Sequence, residues 1–211
     1  MAVYRRLHGA FGPQHWWPGD TPLEIIVGAI LTQNTAWSNV EKAIHNLKRA
    51  RALSSPIIIR DMPARTLAKH IRPAGYYNVK TRRLKSCMAY LADRLGPGLR
   101  RAARIPTPLF REELLAVNGI GPETADSILL YAFGRPVFVV DAYTRRICTR
   151  HKLLAGHETY DDIKRLFTTS LPTDKRLFNE YHALIVRLGK DYCRPTPRCA
   201  TCPLKYKRFY R

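Results

Sequence analysis

Turn residues cut this chain into helix-sized pieces. Ser54-Ser55-Pro56, Pro73-Ala74-Gly75, Gly96-Pro97-Gly98, Asn118-Gly119, Gly134-Arg135-Pro136 and Leu171-Pro172-Thr173 each close one stretch before the next begins. Between these breaks apolar residues recur at helical spacing, as Val40, Ala43, Ile44 and Leu47 do. The first clear start is Thr21-Pro22-Leu23-Glu24, with Thr21 as cap, Pro22 at the first position and Glu24 at the third. Ile25 to Leu31, which follows, is apolar enough to be a central buried helix. The pattern predicts further helices over 64–71, 77–95, 109–117, 123–132, 142–151, 159–170 and 174–190. Val137 to Val140 is β-like in composition but too short to found a sheet. The expected fold is all-α with short connections and no internal repeat.

The charge narrows the function. Lys and Arg number 36 against 16 Asp and Glu, a net +20 over 211 residues. Much of it is clustered. Residues 80–104 hold Lys80, Arg82, Arg83, Lys85, Arg94, Arg100, Arg101 and Arg104 against Asp93 alone. Residues 190–211 are similarly basic. Such an excess points to nucleic acid, whose phosphates release counterions when neutralised. The plainer alternative is a soluble basic surface with no partner. No membrane partner is expected: the run Leu23 to Leu31 is interrupted by Glu24 and far short of the roughly 20 residues a span needs, and no lipidation signal or strongly apolar basic helix marks a surface binder. The N-terminus lacks the apolar core of a signal peptide, and the expectation is a monomer that, in a prokaryote, is cytoplasmic and nucleoid-associated.

The most informative stretch runs from Leu114 to Arg146. Gly119-Ile120-Gly121 sits between two amphipathic helices. The glycines permit positive φ and close backbone approach, and Ile120 can anchor the turn in the core. The helix that follows presents N–H groups suited to a phosphate oxygen. Taken alone, this is also an ordinary helix turn. Asp141 follows four apolar residues and precedes a helix, which on its own is most simply an N-cap.

Together these segments resemble the helix-hairpin-helix DNA glycosylases of the endonuclease III superfamily, over nearly the whole chain. Leu31-Thr32-Gln33-Asn34-Thr35 resembles that family's loop that inserts a Gln into the DNA stack. Gly75-Tyr76-Tyr77-Asn78-Val79-Lys80 resembles its G-x-Y-x-x-K segment. The resemblance implies a two-lobe fold with a cleft between the lobes. One lobe would span 22–131 and carry the hairpin; the other would combine 1–21 with 132–211. It also implies a partner, double-stranded DNA with a damaged base, and the flipping of that base into a pocket. By resemblance Asp141 is the catalytic carboxylate that stabilises an oxocarbenium-like state, Gln33 is the wedge, and Gly119, Ile120 and Gly121 hold a phosphate through backbone amides. Lys80 and Arg145 are further candidate DNA contacts. Strand-cutting members of the superfamily carry a Lys two residues after the last hairpin glycine. Glu123 stands there in this chain, and Glu cannot form an imine. The expectation is a monofunctional glycosylase, with Glu123 either a second catalytic carboxylate or a helix-start residue.

Trp16-Trp17-Pro18 and Trp37 resemble one branch especially, the 3-methyladenine DNA glycosylases, in which an N-terminal Trp and Pro and an aromatic after the Gln loop wall the base pocket. Trp16, Pro18 and Trp37 are the matching positions. Alkylated purines carry positive charge, and indoles stack on cations. The alternatives are an endonuclease III-like enzyme for oxidised pyrimidines or mismatched thymine or uracil, and a non-catalytic helix-hairpin-helix DNA-binding protein. Cys193, Cys199 and Cys202 resemble the family's iron–sulfur loop, C-x6-C-x2-C-x5-C. Here the first gap is one residue short, and Arg208 stands where the last Cys is expected. Three readings stay open: a [4Fe–4S] cluster with a substitute or missing ligand, a zinc ion, or a loop without metal. No organic cofactor is expected.

Overall fold

A computed structural model describes residues 1–16 and 19–205. Among them the regular structure is helical, with no strand. Val137–Val140 carries no regular secondary structure and is buried, at 5% exposure or less, and among the described residues it pairs with no neighbour as a sheet. The chain divides into two compact units, Pro18–Arg135 and the combination of Met1–Trp17 with Pro136–Arg211.

The first unit is built on α2 (Pro22–Leu31). Thr21 caps it, its side chain accepting the Glu24 N–H at 3.2 Å, and Pro22 occupies the first position without a lost hydrogen bond. Ile26, Val27, Ile30 and Leu31 are fully buried, each worth roughly 1.5–3 kcal/mol of apolar burial. Glu24 is buried too, and its carboxylate is met by Lys48 at 2.8 Å. Around α2 pack α3 (Trp37–Arg49), α6 (Tyr77–Leu95) and the π-helical turn Ile128–Ala132. The short helices α4 (Pro56–Asp61) and α5 (Ala64–Ile71) cover α6. A helix over 56–61 departs from expectation. Ser55-Pro56 ends one helix, yet Ser55 also caps the next, accepting the Ile57 N–H at 3.3 Å. The unit ends with α7 (Thr107–Leu115) and α8 (Pro122–Ser127), the two arms of the hairpin.

The second unit contains α1 (Ala2–Phe11), a helix the breaker pattern does not announce, and α9 (Ala142–Arg150), α10 (Tyr160–Ser170) and α11 (Lys175–Asp191). α11 packs on α1 and α9. Phe138, on the Val137–Val140 segment, stacks on Phe167 with centroids 4.0 Å apart and meets Phe178 edge-on at 5.6 Å. This aromatic cluster fixes the segment that delivers Asp141 to the start of α9. Gly189 of α11 lies so close to Tyr143 that a Cβ there would stand 2.3 Å from its ring.

Candidate functional site

In the first unit the hairpin turn and the loop after α2 are tied together. Gly119 has φ +86°, and a Cβ on it would lie 2.2 Å from Arg83 Cγ. Only glycine leaves room for that side chain. Ile120 is 5% exposed and anchors the turn. Its amide, however, donates to the Val117 carbonyl at 3.1 Å. Of the three hairpin amides expected to hold phosphate, the Ile120 N–H is thus engaged inside the turn, while among the described residues the Gly119 and Gly121 amides make no such bond. Gln33, the expected wedge, lies half-buried against the hairpin. Its Nε2 donates to the Gly119 carbonyl at 3.1 Å and to Thr124 Oγ1 at 3.0 Å, while Arg83 donates to its Oε1 at 2.5 Å. Glu123 is exposed in the first turn of α8, where a negative charge suits the helix dipole. Below the turn, Asp126 is fully buried and takes the Arg111 guanidinium at 2.9 Å, bracing α8 on α7. Sequence reasoning passed over this pair, since Arg and Asp fifteen positions apart across a turn carry no helical spacing signal.

Lys80 is the clearest correction. Expected to reach DNA, it is 1% exposed. Its ammonium donates to the Leu31 carbonyl at 2.7 Å, Thr35 Oγ1 at 2.5 Å and the Ala74 carbonyl at 2.9 Å. An ammonium has three donors, and all are used on protein. Burial, with Arg83 nearby, lowers its pKa to about 8. The residue joins the Gln33 loop to the Ala74-Gly75 turn rather than meeting a phosphate.

The aromatic candidates lie in different units. Trp37 opens α3, with its ring over Gly28 and its Nε1 donating to Glu41 at 2.8 Å. Trp16 belongs to the other unit, and Lys190 Nζ stands over its ring, 5.7 Å from the centroid. Pro18, with Trp17, lies outside the described residues.

Asp141 caps α9. Its Oδ1 accepts from the Thr144 N–H at 2.7 Å and from Thr144 Oγ1 at 2.8 Å. Its Oδ2 faces His182 Nε2 of α11 at 3.5 Å, with side-chain exposures of 11% and 8%. Burial alone would raise the Asp141 pKa. The His182 contact and the Thr144 hydrogen bonds outweigh it, and the pKa is lowered. The group is thus an ionised carboxylate in a largely dry setting, and the cap uses one of its two oxygens. Arg145, one turn along, donates to the Glu158 carbonyl at 2.6 Å. Among these partners His182 escaped the sequence reading: on an apolar helical face beside Phe178 and Tyr181 it looks like any core residue.

The cysteine loop is held by arginines. Arg146 donates to the Cys193 and Gly189 carbonyls at 2.7 and 3.1 Å. Arg150 donates to Cys193 Sγ at 3.4 Å and to the Pro195 carbonyl at 2.8 Å, and Arg6 donates to the Pro203 carbonyl. Cys193 and Cys202 are buried and Cys199 is exposed. Burial raises the Cys202 pKa despite a Leu204 N–H donated to its sulfur. Among the described residues no three His, Cys, Asp or Glu side chains converge on a metal position. The three thiols supply one ligand fewer than the four that a [4Fe–4S] cluster or a structural zinc takes. Arg208 lies outside the described residues.

Comparison with known proteins adds the lineage. Residues 27–173 match the model of the HhH-GPD superfamily of base excision DNA repair proteins. A Methanocaldococcus jannaschii protein, provisionally named a DNA repair glycosylase, is 46% identical over 204 residues, covering 96% of this chain and 92% of its own. Endonuclease III of Thermotoga maritima is 30% identical over 90% of this chain and 84% of its own. Among solved structures, the H. pylori 3-methyladenine DNA glycosylase bound to 1,N6-ethenoadenine is 28% identical, with a TM-score of 0.75 over 90% of this chain and 96% of that one.

Proposed function

The chain belongs to the HhH-GPD superfamily of base excision DNA repair proteins and is a DNA glycosylase, and on that premise we propose that it excises alkylated purines without cutting the strand. The observation that carries the chemistry is Asp141, a carboxylate kept ionised while 11% exposed. Breaking a C1′–N bond leaves positive charge on the sugar. A fixed, desolvated carboxylate stabilises such a charge far better than water-exposed acid does, and it can orient the water that adds to C1′. The departing base leaves with the bonding electron pair. An alkylated purine is already cationic and leaves readily, which asks little acid catalysis of the protein.

The substrate class is supported by the indoles and by the 28% identity to a 3-methyladenine glycosylase. Trp16 already carries a cation, Lys190, over its face. The absence of a lyase step is supported by two lysine arguments. Glu123 stands where an imine-forming amine would be. Lys80, whose lowered pKa would suit a nucleophile, is enclosed with all three donors committed. In this reading the Gly119 and Gly121 amides take a DNA phosphate, and Gln33 exchanges its hairpin bonds for the space a flipped base leaves. No step runs through a metal. Duplexes carrying one lesion each (alkylated purine, uracil, oxidised pyrimidine or mismatched thymine) test the proposal, assayed with and without alkali. The expected result is release of the alkylated purine with cleavage only after alkali. Strand cleavage without alkali, or preference for an oxidised pyrimidine, overturns it in favour of an endonuclease III-like activity.

A further inference from the structure

The buried face of α11 holds a titratable group that the proposed chemistry does not yet use. His182 is 6% exposed. A buried polar ring is costly unless it meets a partner, and its Nε2 faces Asp141 Oδ2 at 3.5 Å. The opposite oxygen, Oδ1, is held by the Thr144 N–H and hydroxyl. The carboxylate thus meets two helices: Oδ1 is hydrogen-bonded to α9, and Oδ2 lies within ion-pair range of His182 on α11, outside hydrogen-bond geometry.

The other groups around it do not duplicate this role. On α9, Arg145 serves the Glu158 carbonyl, and Arg146 serves the Cys193 and Gly189 carbonyls with its guanidinium 5.0 Å from the Tyr143 ring centroid. Cys148 is a neutral thiol, pushed up to about 12 by burial and by the charge of Asp141. On α11, burial raises the Tyr181 pKa, which leaves a neutral phenol. From α10, the Tyr160 hydroxyl accepts the Val140 N–H at 3.3 Å. Of these groups, His182 is the one that can bring a donor hydrogen or positive charge to Oδ2.

We propose that His182 is a positioning residue for base excision, fixing the Asp141 carboxylate through Oδ2 and holding it ionised before the cationic transition state forms. The inference rests on the reading of Asp141 as the carboxylate that faces C1′. Its physical content is simple. A buried carboxylate that loses one of its favourable partners takes up a proton more readily, and a neutral acid cannot stabilise an oxocarbenium-like sugar.

The test compares His182→Gln, which keeps an N–H donor without the imidazole, with His182→Phe, which keeps a ring and loses the donor. The Asp141 carboxyl is titrated by carbon-detected NMR in the free protein, with amide spectra reporting the fold. The midpoint is expected to move to higher pH in both variants, further with Phe than with Gln. The acid limb of single-turnover release of 3-methyladenine should move the same way, while DNA affinity stays within about twofold. An unmoved Asp141 midpoint in either folded variant overturns the proposal. The NMR arm needs no activity, so a protein that releases no base from any lesion would defeat the functional reading while leaving the His182 contact tested on its own.

Discussion

Replacing Gly119 by Ala tests the hairpin geometry at one atom. At φ +86° an L-residue is strained, at a cost of about 1–2 kcal/mol. The new Cβ would also stand 2.2 Å from Arg83 Cγ and 2.7 Å from its Cδ. Those atoms lie near the root of the side chain, so Arg83 must change rotamer and give up its bond to Gln33 Oε1, worth about 1.5 kcal/mol for a partly exposed charged donor. Ala recovers about 0.5 kcal/mol through a less flexible unfolded chain. The balance is a loss of roughly 2–3 kcal/mol, or about 4–12 °C in Tm for a chain of this size. Gly121→Ala is the control, since nothing lies within 4 Å of its Cβ and its φ is −93°. It should stay within about 0.5 kcal/mol of the parent. Thermal and urea unfolding of the two variants measure the contrast. A Gly119→Ala protein as stable as Gly121→Ala would refute the packing argument.

Two further substitutions read buried charge. Removing Arg111 (Arg111→Met) leaves Asp126 buried and unanswered by that guanidinium, and urea unfolding should show a loss of about 3 kcal/mol, against under about 1 kcal/mol for Arg94→Ala, whose pair with Glu113 is 45% exposed on the Arg side. For Lys80 the sign follows from a base whose folded pKa, about 8, lies below its unfolded value of about 10.4. The unfolded chain binds more protons between those values, so the parent gains stability there as pH rises, relative to Lys80→Met. Tm values of both proteins at pH 7 and pH 9.5 check this, and an unchanged difference would contradict the buried-ammonium reading.

What the sequence revealed was mostly local. Thr21-Pro22 announces α2 because cap and first-turn chemistry are complete within four residues. Gly119-Ile120-Gly121 is legible for the same reason, with the buried Ile120 as expected. Helices 64–71 and 77–95 match α5 and α6 because their breakers and apolar stripes coincide. Ser55-Pro56 misled because one signal both ends and begins a helix. Lys80 was misread because a lysine ordinarily carries its charge to solvent. Only three-dimensional closure reveals the cage formed by Leu31, Thr35 and Ala74, which come from two separate stretches of chain. The pairing of His182 with Asp141 is likewise a product of α11 crossing α9, which no short-range spacing encodes. Gln33 was recognised by its loop, but its bonds to Gly119, Thr124 and Arg83 depend on how the hairpin folds back on α2 and α6.

A single carboxylate carries the proposed chemistry, and Asp141→Asn isolates it. Asn caps a helix about as well as Asp, so α9 and the Tm should be preserved. Single-turnover release of 3-methyladenine from duplex DNA should fall to background while DNA affinity stays near that of the parent. Base release within about tenfold of the parent, from a folded Asn variant, would contradict the account.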